Sequence, residues 1–265
     1  MRTPDFFRRE KVLLGMVHLL PLPGSPRWGG SLQPVLEAAL TDAKALEAGG
    51  MDGCLVENYG DAPFAPGAVD PATVAAMAAV VAELRRMTAM PVGVNVLKND
   101  ARAALAVAAA TGARFIRVNI HVGAAVTDQG IIQGDAYGTL RYRRLLGADV
   151  KIFADVLAKH GVPLAPLDAE QEAKDAAYRA LADVLIVSGK GTGEPTDLAR
   201  LQAVRRAVPD RPILVGSGVT PETVRRLLEV SDGIIAGTSL KRDGKLANPV
   251  DVARVEALVR AAGLG

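Results

Sequence analysis

A chain of 265 residues carrying 31 basic and 29 acidic side chains, net charge +2, has the length for one large core and no charge excess that would mark a nucleic-acid binder. Its single cysteine, Cys54, excludes an internal disulfide and a cysteine-based zinc site, which suits a reducing cytoplasm. No apolar run reaches membrane-spanning length, because charges or glycines interrupt each one, so membrane insertion is not expected.

The first twenty residues, MRTPDFFRREKVLLGMVHLL, place basic residues before a short apolar run broken by Gly15 and His18. Without a small-residue cleavage site this segment reads as the first strand and not as a secretory leader. From there strand-length apolar runs alternate eight times with longer Ala-rich helical patterns. Strands are predicted over 12–17, 53–57, 92–96, 115–119, 150–155, 184–188, 213–216 and 233–237. Helices are predicted over 32–48, 71–89, 100–111, 137–146, 168–182, 196–207, 221–229 and 249–262.

Asp70-Pro71, Thr220-Pro221 and Asn248-Pro249 each set a capping residue before a proline suited to the first helical position. Asp168 with Gln171 fits a capping box, while Gly49-Gly50 and Gly112 end the first and third helices. Eight β–α units with continuously apolar strands predict a parallel sheet closed into a single (β/α)8 TIM barrel over residues 1–265. An open doubly wound sheet would carry a glycine fingerprint after strand one, where this chain has His18-Leu19-Leu20-Pro21-Leu22-Pro23-Gly24. Two connections, 58–67 and 121–138, are long, polar and glycine-bearing, and are either lids over the C-terminal face or surface decoration.

Strand alternation sorts side chains into lumen and helix-facing sets. Phe115, Arg117, Asn119 and His121 fall in the lumen, as do Lys151, Phe153 and Asp155, Leu55 and Glu57, and Gly93 and Asn95. Leu14, Met16 and His18 share one face of the first strand; Cys54 and Val56 face the helices. Arg117 and Lys151 need acid partners if buried, and Glu57 and Asp155 are the candidates; for these two cations a structural ion-pair network is favoured over catalysis.

Glu57 and Asp155 lie at strand C-terminal ends, where barrel enzymes place their chemistry, and are the catalytic candidates together with His18. A lone histidine is more often a satisfied core residue, and strand-end asparagines can simply cap backbone groups. Asn95, Lys98, Asn119, His121, Ser188 and Thr192 are the substrate-binding candidates. No metal-ligand spacing is present and no cofactor is expected.

The turns after strands seven and eight carry Gly216, Ser217, Gly218 and Gly237, Thr238, Ser239. Glycines admit an anion closely and backbone N–H groups at such turns point at it, so these six residues predict a phosphate cradle, with a short helix after Thr238 as a further donor. Ser188-Gly189-Lys190-Gly191-Thr192-Gly193 lies on the same arc of the rim.

Several segments carry a family resemblance: GMVHLLPLPGSP at 15–26, Asp52-Gly53 running on to ENYGDAPF at 57–64, and NVLKND at 95–100. Arg117-Val118-Asn119, QGII at 129–132, and Val187-Ser188-Gly189 with Thr192-Gly193 complete the set, which spans the chain in order. It resembles the BtpA family. The resemblance implies a cytoplasmic barrel related to phosphate-binding barrels. It also implies relatives described as photosystem I biogenesis factors or, for SgcQ-like members, as nucleosidases, and it transfers no catalytic residue.

Two readings follow. One is an enzyme acting on a phosphorylated sugar or nucleoside-like ligand, by glycosidic hydrolysis or by isomerase- or lyase-type proton transfer. The other is a non-catalytic photosystem I biogenesis or stability factor that keeps the barrel and its ligand site. Both take a phosphorylated small molecule and no nucleic acid; association into a homo-oligomer is left open, and barrels often host several functions.

Overall fold

Eight apolar runs become the staves of one barrel: β1 (Val12–His18), β2 (Gly53–Glu57), β3 (Val92–Asn95), β4 (Phe115–Val118), β7 (Lys151–Val156), β9 (Val184–Val187), β10 (Ile213–Val215) and β11 (Gly233–Ala236). The computed structural model describes residues 3–189, 191, 194 and 196–264. The staves close in the order β1-β11-β10-β9-β7-β4-β3-β2, every pair parallel. Register sets Glu57 between His18 and Asn95, so three polar side chains stand level at the C-terminal rim.

Around the barrel run α1 (Gln33–Ala48), α2 (Pro71–Met87), α3 (Ala101–Thr111), α4 (Ala136–Leu145), α5 (Ala169–Lys174), α6 (Leu198–Ala207), α7 (Val224–Leu228) and α8 (Val252–Ala261). Asp70 and Asp168 cap α2 and α5 by accepting from Ala72 N and Gln171 N, and α3 ends on Gly112 in the left-handed region at φ +73°. Two predicted starts are corrected. α7 begins at Val224, because Thr220 N is held by Thr223 Oγ1 in a turn that takes in Pro221. α8 begins at Val252, capped by Asp251, leaving Pro249 in the preceding turn.

The two faces of each strand feed two cores. Cys54, Val56, Ile116, Val118, Ile152 and Ala154 pack outward against the helices. Leu14, Met16, Leu55, Phe115, Phe153 and Ile235 fill the lumen, where Phe115 and Phe153 stack at 4.4 Å between ring centroids. Gly93 is required there: a Cβ would lie 2.1 Å from the Phe115 ring. Phe7, ahead of β1, joins this cluster and closes the N-terminal end.

Lys151 departs from its expected place in the lumen. It opens β7 at the N-terminal end, where solvent reaches, and its Nζ bonds Asp149 at 2.9 Å, well away from Glu57 and Asp155. The 121–138 connection holds a hairpin, β5 (Ala124–Thr127) and β6 (Gly130–Gln133), extended by β8 (Gly161–Pro163) into a three-stranded antiparallel sheet. Strands of three or four residues carry too little alternation to announce themselves in sequence. No helix among the described residues is long and apolar enough to cross a membrane.

Candidate functional site

At the C-terminal mouth of the barrel the strand ends and their loops enclose a cavity of about 430 Å³, within the range of small-ligand sites. Met16, Arg117 and Ile235 rise into it from the strands. His18, Glu57, Tyr59 and Phe64 line one side, and Lys98, Asp128, Lys159 and His160 come from the loops after β3, in the hairpin and after β7. The opposite wall is built by residues 216–220 and 237–239.

The floor is a polar chain running across three strands. Asn95 Nδ2 donates to Asn119 Oδ1 at 3.0 Å, Asn119 Nδ2 donates to Asp155 Oδ2 at 3.0 Å, and Arg117 grips both carboxylate oxygens at 2.9 Å. All four residues are buried, so the pairing meets the demand that a buried charge be matched. Of the four, Arg117 and Asn119 reach the cavity wall, while Asn95 and Asp155 stand behind them.

Glu57 and His18 differ from that bonded chain, in which Asn95 Oδ1 alone is buried without a partner among the described residues. Their closest approach, His18 Nε2 to Glu57 Oε1, is 4.0 Å, beyond hydrogen-bond reach. Burial pushes the Glu57 carboxyl up, so it holds a proton more readily than a free glutamate. Burial, reinforced by the positive fields of Lys241, Lys159 and Arg117, pushes His18 down to about 3, leaving a neutral imidazole. The Tyr59 ring meets it edge-on at 5.2 Å and Phe64 flanks Tyr59 at 6.2 Å, so the loop after β2 covers this side with aromatics.

Two lysines supply the positive charge. Lys159 Nζ donates to Gly216 O at 3.2 Å, and Lys98 Nζ to Lys159 O at 3.4 Å. Burial, with Arg117 close by, lowers the Lys159 ammonium to about 8, and burial lowers Lys98 as well.

On the far wall Gly216 has no room for a side chain: a Cβ would lie 2.5 Å from both Ile186 Cγ2 and Ser188 Oγ. Gly218 turns the chain at φ +66°, a conformation glycine adopts freely. A 3-10 turn over Thr238–Leu240 follows β11, and its first amides have no acceptor inside the turn. Ser239 Oγ is buried without a partner among the described residues. Ser217 Oγ is otherwise engaged: it accepts from Gly189 N at 2.7 Å and donates to Glu194 O at 3.2 Å, tying this turn to the loop after β9.

Of the residues singled out from sequence, His18, Glu57, Lys98, Asn119, Gly216, Ser217, Gly218, Gly237, Thr238 and Ser239 meet at this cavity. Asp155 and Asn95 form the layer behind the wall. Ser188 is buried under Gly216. His121 turns away, its Nε2 3.0 Å from Ala180 O, because the chain leaves β4 for the hairpin before that position. Thr192, with Lys190 and Gly193, lies outside the described residues. Sequence reasoning missed Lys159, Tyr59 and Asp128 as wall residues. Lys159 follows the end of β7 by three residues, and the strand-end position alone could have flagged it. Among the described residues no group of three or more His, Cys, Asp or Glu side chains could hold a metal ion.

Comparison with known proteins matches the BtpA family model to residues 9–263. Photosystem I biogenesis protein BtpA of Synechocystis sp. is 46% identical over 259 residues, covering 98% of this chain and 90% of that protein. The sgc region protein SgcQ of Escherichia coli is 37% identical over 249 residues, covering 93% and 92%. Among solved structures, (S)-3-O-geranylgeranylglyceryl phosphate synthase from Thermoplasma acidophilum, in complex with sn-glycerol-1-phosphate, superposes with a TM-score of 0.59 at 18% identity, covering 96% and 94%. At that identity the likeness is one of fold.

Proposed function

This chain belongs to the BtpA family, and from that premise we propose that it is an enzyme acting on a small phosphorylated sugar or nucleoside-like ligand. The observation that carries the reading is the meeting, in one cavity, of the two glycine turns after β10 and β11 with Glu57 and Lys159. Amides at the Gly218 and Thr238 turns would hold the phosphate, beside Lys159 and with Ser239 Oγ as a further donor. The glycerol phosphate complex of a barrel with the same fold supports a phosphate ligand.

With the phosphate there, the rest of the ligand extends towards Glu57, His18 and Asn119. Glu57, protonated more readily than usual, would deliver a proton to a leaving or carbonyl oxygen, and neutral His18 would accept or donate a hydrogen bond to a hydroxyl. Asp155 would act through Arg117, holding the guanidinium against the ligand. A glycosidase pair needs two carboxyls facing the substrate. Of the expected pair only Glu57 reaches the wall, and the other carboxyl lining the cavity is Asp128 of the hairpin, so both proton transfer at a carbonyl and glycosidic hydrolysis stay within the reading.

A thermal-shift comparison tests the reading. Ribose 5-phosphate, dihydroxyacetone phosphate and nucleoside monophosphates are expected to raise the melting temperature in a concentration-dependent way, and their dephosphorylated forms are not. Equal shifts for both forms, or none, would remove the phosphate site.

A second reading, a non-catalytic biogenesis factor, draws support from the name of the Synechocystis relative and from an exposed apolar row. Ile131, Val126 and Val162 lie in register across the three-stranded sheet with their side chains in solvent. A stable partner complex broken by Val126→Lys, in a protein inert towards phosphate esters, would favour it.

A further inference from the structure

The loop after β7 brings a primary amine to the wall of the cavity at the barrel mouth. Lys159 Nζ is fixed by Gly216 O at 3.2 Å, beside the turn assigned to phosphate, and shares the cavity with Glu57, Lys98 and Arg117. Lys98 is tethered to the backbone of Lys159, so two cationic heads stand on one stretch of wall. We propose that Lys159 is an imine-forming residue that condenses with the carbonyl carbon of a phosphorylated aldose or ketose. This rests on the phosphate reading above and narrows the substrate to a sugar phosphate with a reactive carbonyl.

The step balances within the cavity. Neutral Lys159 Nζ adds to the carbonyl carbon, forming the C–N bond, and a proton passes from nitrogen to the new alkoxide to give a carbinolamine. Protonated Glu57 then gives its proton to the carbinolamine hydroxyl, the C–O bond breaks and water leaves. The products are a cationic iminium on Lys159 and a carboxylate on Glu57. Desolvation and neighbouring cations, the two devices that free a lysine amine for attack, both act here and bring Lys159 down to about 8. Burial raises the Glu57 carboxyl, which favours the protonated form that the dehydration uses.

The test is reductive trapping. The protein is incubated with dihydroxyacetone phosphate, dihydroxyacetone or ribose 5-phosphate, reduced with borohydride, and its adducts are mapped by peptide mass spectrometry. Hydride adds to the iminium carbon and leaves a stable secondary amine. The expected result is one dominant adduct on Lys159, formed at roughly tenfold lower concentration of dihydroxyacetone phosphate than of dihydroxyacetone. Its yield should rise as pH is raised through about 8. Lys159→Arg, which keeps the charge without the nucleophile, should abolish it, and Lys151→Arg, at the other end of the barrel, should not. Adducts spread over other lysines, or none with any of the three carbonyl probes, overturn the proposal. If dihydroxyacetone phosphate raises the melting temperature but leaves no Lys159 adduct, the imine fails and the phosphate site stands. A Lys159 adduct with no preference for the phosphorylated probe supports the imine and fails the phosphate site.

Discussion

Arg117 and Asp155 meet in parallel, Nε to Oδ1 and Nη2 to Oδ2, both at 2.9 Å, in a part of the barrel where neither side chain is more than a few per cent exposed. Asn119 adds a third bond to the same carboxylate. Both Asp155 oxygens are thus engaged in orienting the cation that faces the cavity. Removing one partner strands a buried charge, so Asp155→Ala is expected to cost about 3–5 kcal/mol in urea denaturation. The double variant Arg117→Met, Asp155→Leu should cost less than that single change, because it leaves no charge unpaired.

Gly216 supports a packing prediction. A methyl group there would overlap Ile186 Cγ2 and Ser188 Oγ at 2.5 Å, so Gly216→Ala should lower stability by about 1–3 kcal/mol. Pairing it with Ser188→Ala, which removes one of the two clashing atoms, should recover part of the loss, read from denaturation midpoints.

The pH dependence of stability has two opposed parts. His18 is held at about 3 in the native protein against 6.5 for the free ring, so the unfolded chain binds a proton that the native one refuses. Its share of stability is therefore lost as pH falls below about 6.5 towards about 3. Glu57 is raised, so its contribution is complete at acid pH and is lost as pH climbs through its native value. Relative to the parent protein, His18→Asn should flatten the acid-side fall and Glu57→Gln should flatten the decline as pH rises above the ordinary glutamate range. Urea midpoints across that range, for each variant against the parent, would check both.

Tyr59 bridges His18 and Phe64, and its ring closes the β2 side of the cavity. Tyr59→Ala is expected to weaken ribose 5-phosphate binding roughly tenfold by calorimetry. A loop that merely decorates the surface would leave affinity unchanged.

The barrel was legible because buried parallel strands write continuous apolar runs and each predicted stave lies within a residue of the observed one. Alternation along β4 and β7 was enough to send Arg117 and Asp155 to the same interior, since a buried guanidinium has few places to find a carboxylate. It failed at the strand ends. Beyond Val118 and Val156 the backbone leaves the pleat, so His121 swung to Ala180 O and Lys159 entered the cavity with no periodicity to announce it. Lys151 failed for a related reason: alternation gives the face of a strand but not the depth, and solvent at the barrel's lower end let it pair with Asp149. The hydroxyl of Ser217 was visible as a turn residue, but its engagement with Gly189 and Glu194 depends on a neighbouring loop that sequence spacing does not place.

The most direct measurement is a crystal structure of the protein grown with ribose 5-phosphate. The phosphate group is expected between the turns after β10 and β11, with its oxygens about 3 Å from the amides of Gly218 and Ser239. Lys159 is expected within reach of the ligand, with the sugar extending towards Glu57. A ligand seated with its phosphate in solvent and its sugar on those turns, or bound outside the cavity altogether, would contradict this placement.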